Sequence, residues 1–407
     1  MSTDTGWLGR LVEDGRVRTE IYTDPRVFEA EMERIFARTW VYVAHESEVS
    51  EPGDYKTVTV GTQPVIVVRD KERRLRVLFN RCRHRGASVC QRESGNALYF
   101  RCAYHGWTYD CDGALLGMPY ASRYDPSFDR EAMGLAQAPR VATHRGFVWA
   151  SLAADGPSLD EHLGPARTFI DEVVDVSPVG EVSLTAGCQR YGYDGTWKLQ
   201  MENGVDGYHP NFVHQSFAAA MKKIFAGRFT ADFSAAFSDA SPAVSRDLGN
   251  GHGALDMRCF GPYAADERNG GGFNLAVFPN LILIGAQVRS IWPVAWNRTE
   301  VVVQPMIVKG LEDLTERRLR THELFYGPAG FGQPDDAEIF RRMSEGLRAR
   351  GMDWVDISRG LGRERVEGTT LVGQVTDEVP QRGFYRMWKR LMTATAGADV
   401  AASERRP

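Results

Sequence analysis

The sequence has no excess of basic residues: 49 Lys and Arg stand against 53 Asp and Glu, a formal charge of -4 over 407 residues. That balance speaks against a nucleic-acid partner and against an anionic membrane surface. Long apolar runs are also missing. The most apolar stretch, Phe273 to Val288, is interrupted by Asn274, Pro279, Asn280 and Gln287, so no membrane-spanning helix is expected. The N-terminus, MSTDTGWLGRLVEDGR, lacks the charged start, apolar centre and small-residue cleavage site of a secretory leader, and a cytoplasmic location is expected. No GxGxxG occurs, which argues against a nucleotide-binding domain. Cysteine is scarce, with 6 in the chain, and in a reducing compartment these thiols should be free or bind metal rather than pair. What is present is ordinary globular composition, 43% hydrophobic and 11% aromatic, at a length that suits two domains.

The periodicity changes along the chain. Residues Asp24 to Arg38 place Val27, Phe28, Met32, Ile35 and Phe36 on one helical stripe, with Pro25 suited to a first helical position. From Asp54 the period becomes two, predicting strands at Tyr55–Val60, Val65–Arg69, Leu75–Phe79 and Ala97–Cys102 and a hairpin at Cys111-Asp112-Gly113. After the small-residue segment Ala153–Pro157 the pattern is mixed, with helical Trp197–His214, strand-like runs between Leu281 and Ile307, and an amphipathic helix over Phe384–Met392. The expected fold is α+β: an N-terminal helical segment (1–40), an all-β domain (41–155) and a larger catalytic domain (156–407).

Two constellations carry chemistry. Cys82-Arg83-His84 and Cys102-Ala103-Tyr104-His105 each end a predicted strand, so two loop tips could converge on one centre. A structural Cys2His2 zinc site would also use these four ligands. Zinc modules usually keep paired Cys and paired His apart, however, whereas each loop here carries one of each. That mixture suits a two-iron Rieske cluster, with both thiolates on one iron and both imidazoles on the other. Cys90 and Cys111 fall outside the spacing and read as ordinary thiols.

The second constellation is WKLQMENGVDGYHPNFVH, residues 197–214. His209 and His214 would stand about 140° apart on a straight helix, poor geometry for one metal unless Pro210 kinks it. Two His with one carboxylate form the non-haem iron(II) triad. Asp335-Asp336-Ala-Glu338 supplies such a carboxylate, although acidic residues in a first helical turn also follow from the helix dipole alone.

Together these motifs resemble the large (α) subunits of Rieske non-haem iron aromatic-ring-hydroxylating oxygenases. CRHRG and RCAYHGWTYDCDGALLG look like that family's Rieske loops, and WKLQMENGVDGYHPNFVH looks like its iron-binding helix. The resemblance implies an all-β Rieske domain plus a helix-grip catalytic domain built on an antiparallel sheet. By it Cys82, His84, Cys102 and His105 bind a [2Fe-2S] cluster, while His209, His214 and Asp336 bind a mononuclear Fe(II). It makes Asp206 the carboxylate that bridges the Rieske histidine of one subunit and an iron-ligating histidine of its neighbour. The implied assembly is a head-to-tail homotrimer, with or without a small β subunit. The implied activity is dioxygenation of an aromatic ring to a cis-dihydrodiol, with electrons from a separate reductase or ferredoxin. QMENGVDGYH and GPAGFGQPDDAE look most like the branch acting on benzoate-type acids. Alternatives are a Rieske monooxygenase (ring hydroxylase or demethylase), a zinc-stapled binding protein and a Rieske-only electron carrier.

One further residue stands out. Arg289 interrupts an apolar strand and shares a face with Gln287 and Ile291, so it could hold an aromatic carboxylate through a two-point pair. A structural salt bridge to a neighbouring Asp or Glu is the other explanation, and the more ordinary one.

Overall fold

In the computed structural model, residues 6–224, 233–259 and 272–394 are described. Residues 1–5 of the N-terminal helical segment and 395–407 of the catalytic domain lie outside them. The chain divides into two compact units, Phe36–Asp155 and Met1–Ile35 with Gly156–Pro407, so the first is an insertion in the sequence of the second.

The inserted unit is all antiparallel β. One sheet has the order Leu75–Phe79, Gln63–Arg69, Asp54–Val60, Ser94–Asn96, another Leu115–Gly117, Thr108–Asp110, Tyr99–Arg101, and a third Arg140–His144, Phe147–Ser151, Val41–His45. Val65, Ile66, Val67 and Val68 are all fully buried, so the central strand is covered on both faces and its alternation is masked. The Asp-Gly hairpin forms as its chemistry dictates: Gly113 takes φ +94° and its N–H donates to the Asp110 carbonyl at 3.0 Å.

The larger unit is built on a nine-stranded antiparallel sheet. Its order is Gln189–Tyr193, Arg298–Pro305, Gln287–Ala295, Leu281–Ile284, Phe273–Val277, His252–Asp256, Val244–Gly249, Thr370–Gln374, Arg365–Glu367. The helices Glu312–Thr321, Gln333–Gly346 and Val379–Thr393 belong to the same unit, which is α+β.

At the other end of the chain, Asp24 caps the helix Pro25–Glu31, accepting from the Arg26 N–H at 2.9 Å, with Pro25 in the first turn. The last residue of that helix, Glu31, is fully buried and accepts from Trp197 Nε1 at 2.9 Å, Lys198 Nζ at 2.6 Å and Trp388 Nε1 at 2.6 Å. A buried carboxylate is tolerated only when so paired. Its three donors tie the N-terminal helix, the start of the helix Lys198–Asn203 and the C-terminal helix together.

Candidate metal centres

The two Cys/His loops of the inserted unit have the same backbone design. Cys82 accepts through its carbonyl from Gly86 N–H at 2.9 Å, and Cys102 from Gly106 N–H at 3.0 Å. In turn the Cys82 N–H donates to Ala87 and the Cys102 N–H to Trp107, both at 2.8 Å. Each loop closes through a glycine four residues after its cysteine, at φ +77° and +72°, a conformation that a side chain would strain. The imidazoles of His84 and His105 meet at a centroid distance of 4.5 Å, and Trp107 stacks on His84 at 5.1 Å and an interplanar angle of 5°.

These four residues fit an iron-sulfur cluster. Both thiols are buried and in no disulfide, and His84 Nδ1 is buried with no hydrogen-bond partner, as befits an atom reserved for a metal. Arg85 Nη2 lies 3.3 Å from His105 Nε2, which makes Nε2 the outward nitrogen of that ring. Tyr109 accepts from the Arg83 N–H at 3.1 Å, so its own hydroxyl is free to donate to Cys82 Sγ at 3.2 Å. Burial and the neighbouring thiol push the Tyr109 phenol well above its usual range, which keeps that proton in place. Cys111 donates instead to the Ala97 carbonyl at 3.3 Å, an ordinary buried thiol whose pKa burial lifts to about 11.

In the larger unit, the expected continuous helix from Trp197 to His214 is not what forms. The helix Lys198–Asn203 stops, the chain turns through 204–208, and Pro210 opens a separate one-turn helix, Pro210–Val213, with His209 before it and His214 after it. Proline at a first helical position removes no hydrogen bond, so Pro210 acts as a start signal rather than as a kink. The two histidines flank one turn, with ring centroids 5.3 Å apart.

Asp336, from the first turn of Gln333–Gly346, completes the cluster. One ligand atom from each of His209, His214 and Asp336 lies within 4.8 Å of the others. Asp336 Oδ1 is 3.6 Å from His209 Nε2 and 3.3 Å from His214 Nε2. Each opposite Nδ1 faces a different carboxylate: Asp206 at 3.3 Å for His209, Asp335 at 3.4 Å for His214. Rings held this way keep Nε2 free for a metal, the arrangement expected around ligating histidines. These residues therefore fit a mononuclear iron. Asn203 donates to Asp336 Oδ1 at 3.2 Å and also lies 3.3 Å from His209 Nε2. Asp335 entered the sequence reading only within the acidic run at a helix start and Asn203 only within the helical stretch 197–214, because nothing in their spacing marks an orienting role.

Arg289 is buried, and among the described residues no Asp or Glu pairs with it. The salt bridge offered by sequence reasoning is not formed. Arg289 and Gln189 both stand opposite Val303, from either side of Arg298–Pro305, so they share one face of the sheet with Tyr191. Tyr191 in turn donates to Gln200 Oε1, on the helix that leads to the metal turn. His322, missed in the sequence, also lies in this interior.

The Rieske [2Fe-2S] domain family model matches residues 39–139, and the model for the ring hydroxylating alpha subunit, catalytic domain, matches residues 186–394. Both halves of a two-centre iron oxygenase are thus present in one chain. It is 37% identical over 378 residues to the anthranilate 1,2-dioxygenase large subunit of Acinetobacter baylyi, covering 85% of this chain and 80% of the relative. The toluate 1,2-dioxygenase subunit alpha of Pseudomonas putida is 37% identical over 380 residues (87% and 83% covered), and the 2-halobenzoate 1,2-dioxygenase large subunit of Burkholderia cepacia 34% over 381 (85% and 80%). A naphthalene 1,2-dioxygenase structure with indole bound in the active site aligns at TM-score 0.83 and 26% identity, covering 94% of both chains. The chain belongs to the family of ring-hydroxylating dioxygenase alpha subunits. It is the terminal oxygenase component, with a Rieske [2Fe-2S] cluster and a mononuclear iron as cofactors, and it adds both atoms of dioxygen to an aromatic ring. A quaternary ammonium Rieske monooxygenase aligns at TM-score 0.70 and 20% identity, a likeness of fold alone, and the monooxygenase and zinc alternatives are not supported.

Proposed function

We propose that this subunit oxidises an aromatic carboxylate to its cis-dihydrodiol. Cys82, His84, Cys102 and His105 hold the cluster within residues 41–155. His209, His214 and Asp336 hold the iron within residues 156–407, and the described N-terminal residues 6–35 belong to the same compact unit. The observation that carries this reading is the convergence of two imidazoles and a carboxylate, ligand atoms within 4.8 Å, while each outer nitrogen faces its own acid. That the relatives act on anthranilate, toluate and 2-halobenzoate supports an acid as substrate.

When bound, the cluster supplies single electrons and the mononuclear iron supplies open positions for dioxygen. The chain's own residues do the rest. Asp335, hydrogen-bonded to His214 Nδ1, fixes that ring's tautomer, and Asp206 stands beside His209 Nδ1 as its nearest acid, so that both rings turn Nε2 toward the same point. Asn203 steadies Asp336 by donating to it.

Asp206 has a second role in this reading. Its carboxylate is partly exposed, with Oδ1 accepting from the Tyr208 N–H at 2.6 Å, and it can accept from the Rieske histidine of a neighbouring subunit in a homotrimer. Electrons reach the cluster from a separate ferredoxin or reductase in the cytoplasm. A small β subunit is compatible with this assembly. Among the described residues no helix is long and apolar enough to cross a membrane.

Metal and acid-labile sulfide analysis should give about three irons and two sulfides per chain. Turnover of benzoate under labelled dioxygen should place both labelled atoms on one ring, and a single labelled atom in the product would overturn the dioxygenase outcome. Asp206→Asn should retain both metals and the reduced-cluster spectrum yet lose turnover. Normal turnover in that variant removes the bridging role.

A further inference from the structure

We propose that Arg289, His322 and Gln287 form the site that recognises the substrate's carboxylate, Arg289 and His322 as its donors and Gln287 as the positioning residue that aims both. The inference rests on the aromatic-acid reading above.

The case begins with a buried charge. Arg289 is 3% exposed, and its partners are neutral: the Tyr326 carbonyl at 3.5 Å from Nη2 and the side-chain amide of Gln287. A guanidinium removed from water without an anion is strongly unfavourable, and a fold keeps one there when a ligand brings the anion. With its amide oxygen turned to Arg289, Gln287 accepts from Nη2 at 2.9 Å and from Nε at 3.2 Å, and its amide nitrogen donates to His322 Nδ1 at 3.3 Å. The reverse orientation would set donors against donors. This assignment fixes the tautomer of His322: Nδ1 accepts, so Nε2 carries the proton.

That second donor is unused. His322 is 2% exposed, and its Nε2 is buried with no hydrogen-bond partner. Burial holds the imidazole below its ordinary pKa, Arg289 pushes it further down and Glu323 works in the opposite direction, so His322 is a neutral N–H donor. The backbone serves the same arrangement. After Glu312–Thr321 the helix widens into a π turn over His322–Tyr326, and that single turn provides both the imidazole and the carbonyl beside Arg289.

The site also lies toward the metal. Tyr191 shares the sheet face of Arg289, bonds the helix of the metal segment through Gln200, and is close enough to feel both charges. Arg289 lowers its phenol pKa and Asp336 raises it, on top of a larger upward push from burial. An acid held by Arg289 and His322 therefore has its ring on the side of the sheet where the iron triad stands. A carboxylate accepts from the guanidinium N–H groups that Gln287 and Tyr326 leave over and from an imidazole N–H at once, and a carboxamide cannot match the charge.

The test compares benzoate with benzamide, as ligands and as substrates, on the iron-loaded enzyme. Wild type is expected to prefer benzoate. Arg289→Gln should weaken benzoate roughly 10- to 100-fold and leave benzamide within about twofold. His322→Gln should lose less, about fivefold on benzoate, as for one neutral donor. Gln287→Glu is the sharper variant, because it is isosteric and gives Arg289 an internal anion. It should abolish the preference for benzoate, whereas a purely structural cluster would gain stability and keep it. If wild type shows no preference for aromatic acids, the substrate reading fails and the site with it. If wild type prefers benzoate and Gln287→Glu and Arg289→Gln retain that preference, the reading stands and this site is overturned.

Discussion

The two metal centres are held in different ways. In the inserted unit each ligand pair sits on a loop of five residues closed by its own backbone, with a left-handed glycine at the end. The mononuclear site has no such local frame. Its histidines flank a one-turn helix, its carboxylate comes from more than a hundred residues later, and orientation depends on Asp206, Asp335 and Asn203. The first centre is rigid because short turns have few alternatives, and the second because a tertiary network holds it. Damage to packing in the larger unit should therefore reach the second centre and spare the first.

The largest effect expected is complete separation of the sites. His84→Ala should remove the Rieske absorption and leave the mononuclear iron bound, and His209→Ala should do the reverse, both without turnover. Loss of both metals from either variant, in a protein that still melts cooperatively, would break the comparison.

Next comes Lys198→Met, which leaves Glu31 buried without its cation. Breaking one side of such a pair lowers stability by about 3 to 5 kcal/mol. The denaturation midpoint of the larger unit should fall and its iron occupancy drop, with the Rieske spectrum unchanged. Equal loss at both centres would argue against a local network.

A third outcome concerns pH. Glu202, on the metal helix, accepts from Tyr385 at 2.5 Å and from Tyr22 at 3.3 Å, and burial raises its pKa to about 7. An acid whose folded pKa lies above its unfolded value binds more protons when folded. Its contribution is fully present below about pH 4.5 and lost as pH rises through about 7, roughly 3 kcal/mol in all. Urea titrations at pH 5 and pH 8 should show that loss in wild type and a smaller one in Glu202→Gln, and identical slopes would sink the assignment.

The smallest effect belongs to the rigid loops. Tyr109→Phe removes one hydrogen bond to Cys82 Sγ, worth about 1 kcal/mol, and should lower the cluster potential by roughly 40 mV in a redox titration.

The contrast also explains what could be read before folding. Cys82, His84, Cys102 and His105 are legible because their chemistry is written in contiguous residues. The hairpin at Asp112-Gly113 and the start at Pro25 are legible for the same reason, since turn and cap preferences are local. Strand His252–Asp256 was missed because its five consecutive buried residues hide the period of two. Pro210 was misjudged because proline signals a helix start and a helix kink alike, and only the preceding turn decides. His322 was silent and Asp335 was legible only as one of two candidate acids, since their meaning lies in which nitrogen they face or leave unpaired.

The carboxylate of Glu31 has one more consequence, and it concerns the order of events in time. Glu31 and the indole it receives from the C-terminal helix are 357 residues apart, with the whole inserted unit made between them. During synthesis the Rieske loops are complete once Trp107 has emerged, whereas the clamp on the metal helix cannot close before Trp388 exists. Long-range closure of this kind is slow. Cluster insertion thus has an interval in which the second centre is still an open chain, and the nascent N-terminal helix must wait, its acid one donor short, until the last long helix arrives.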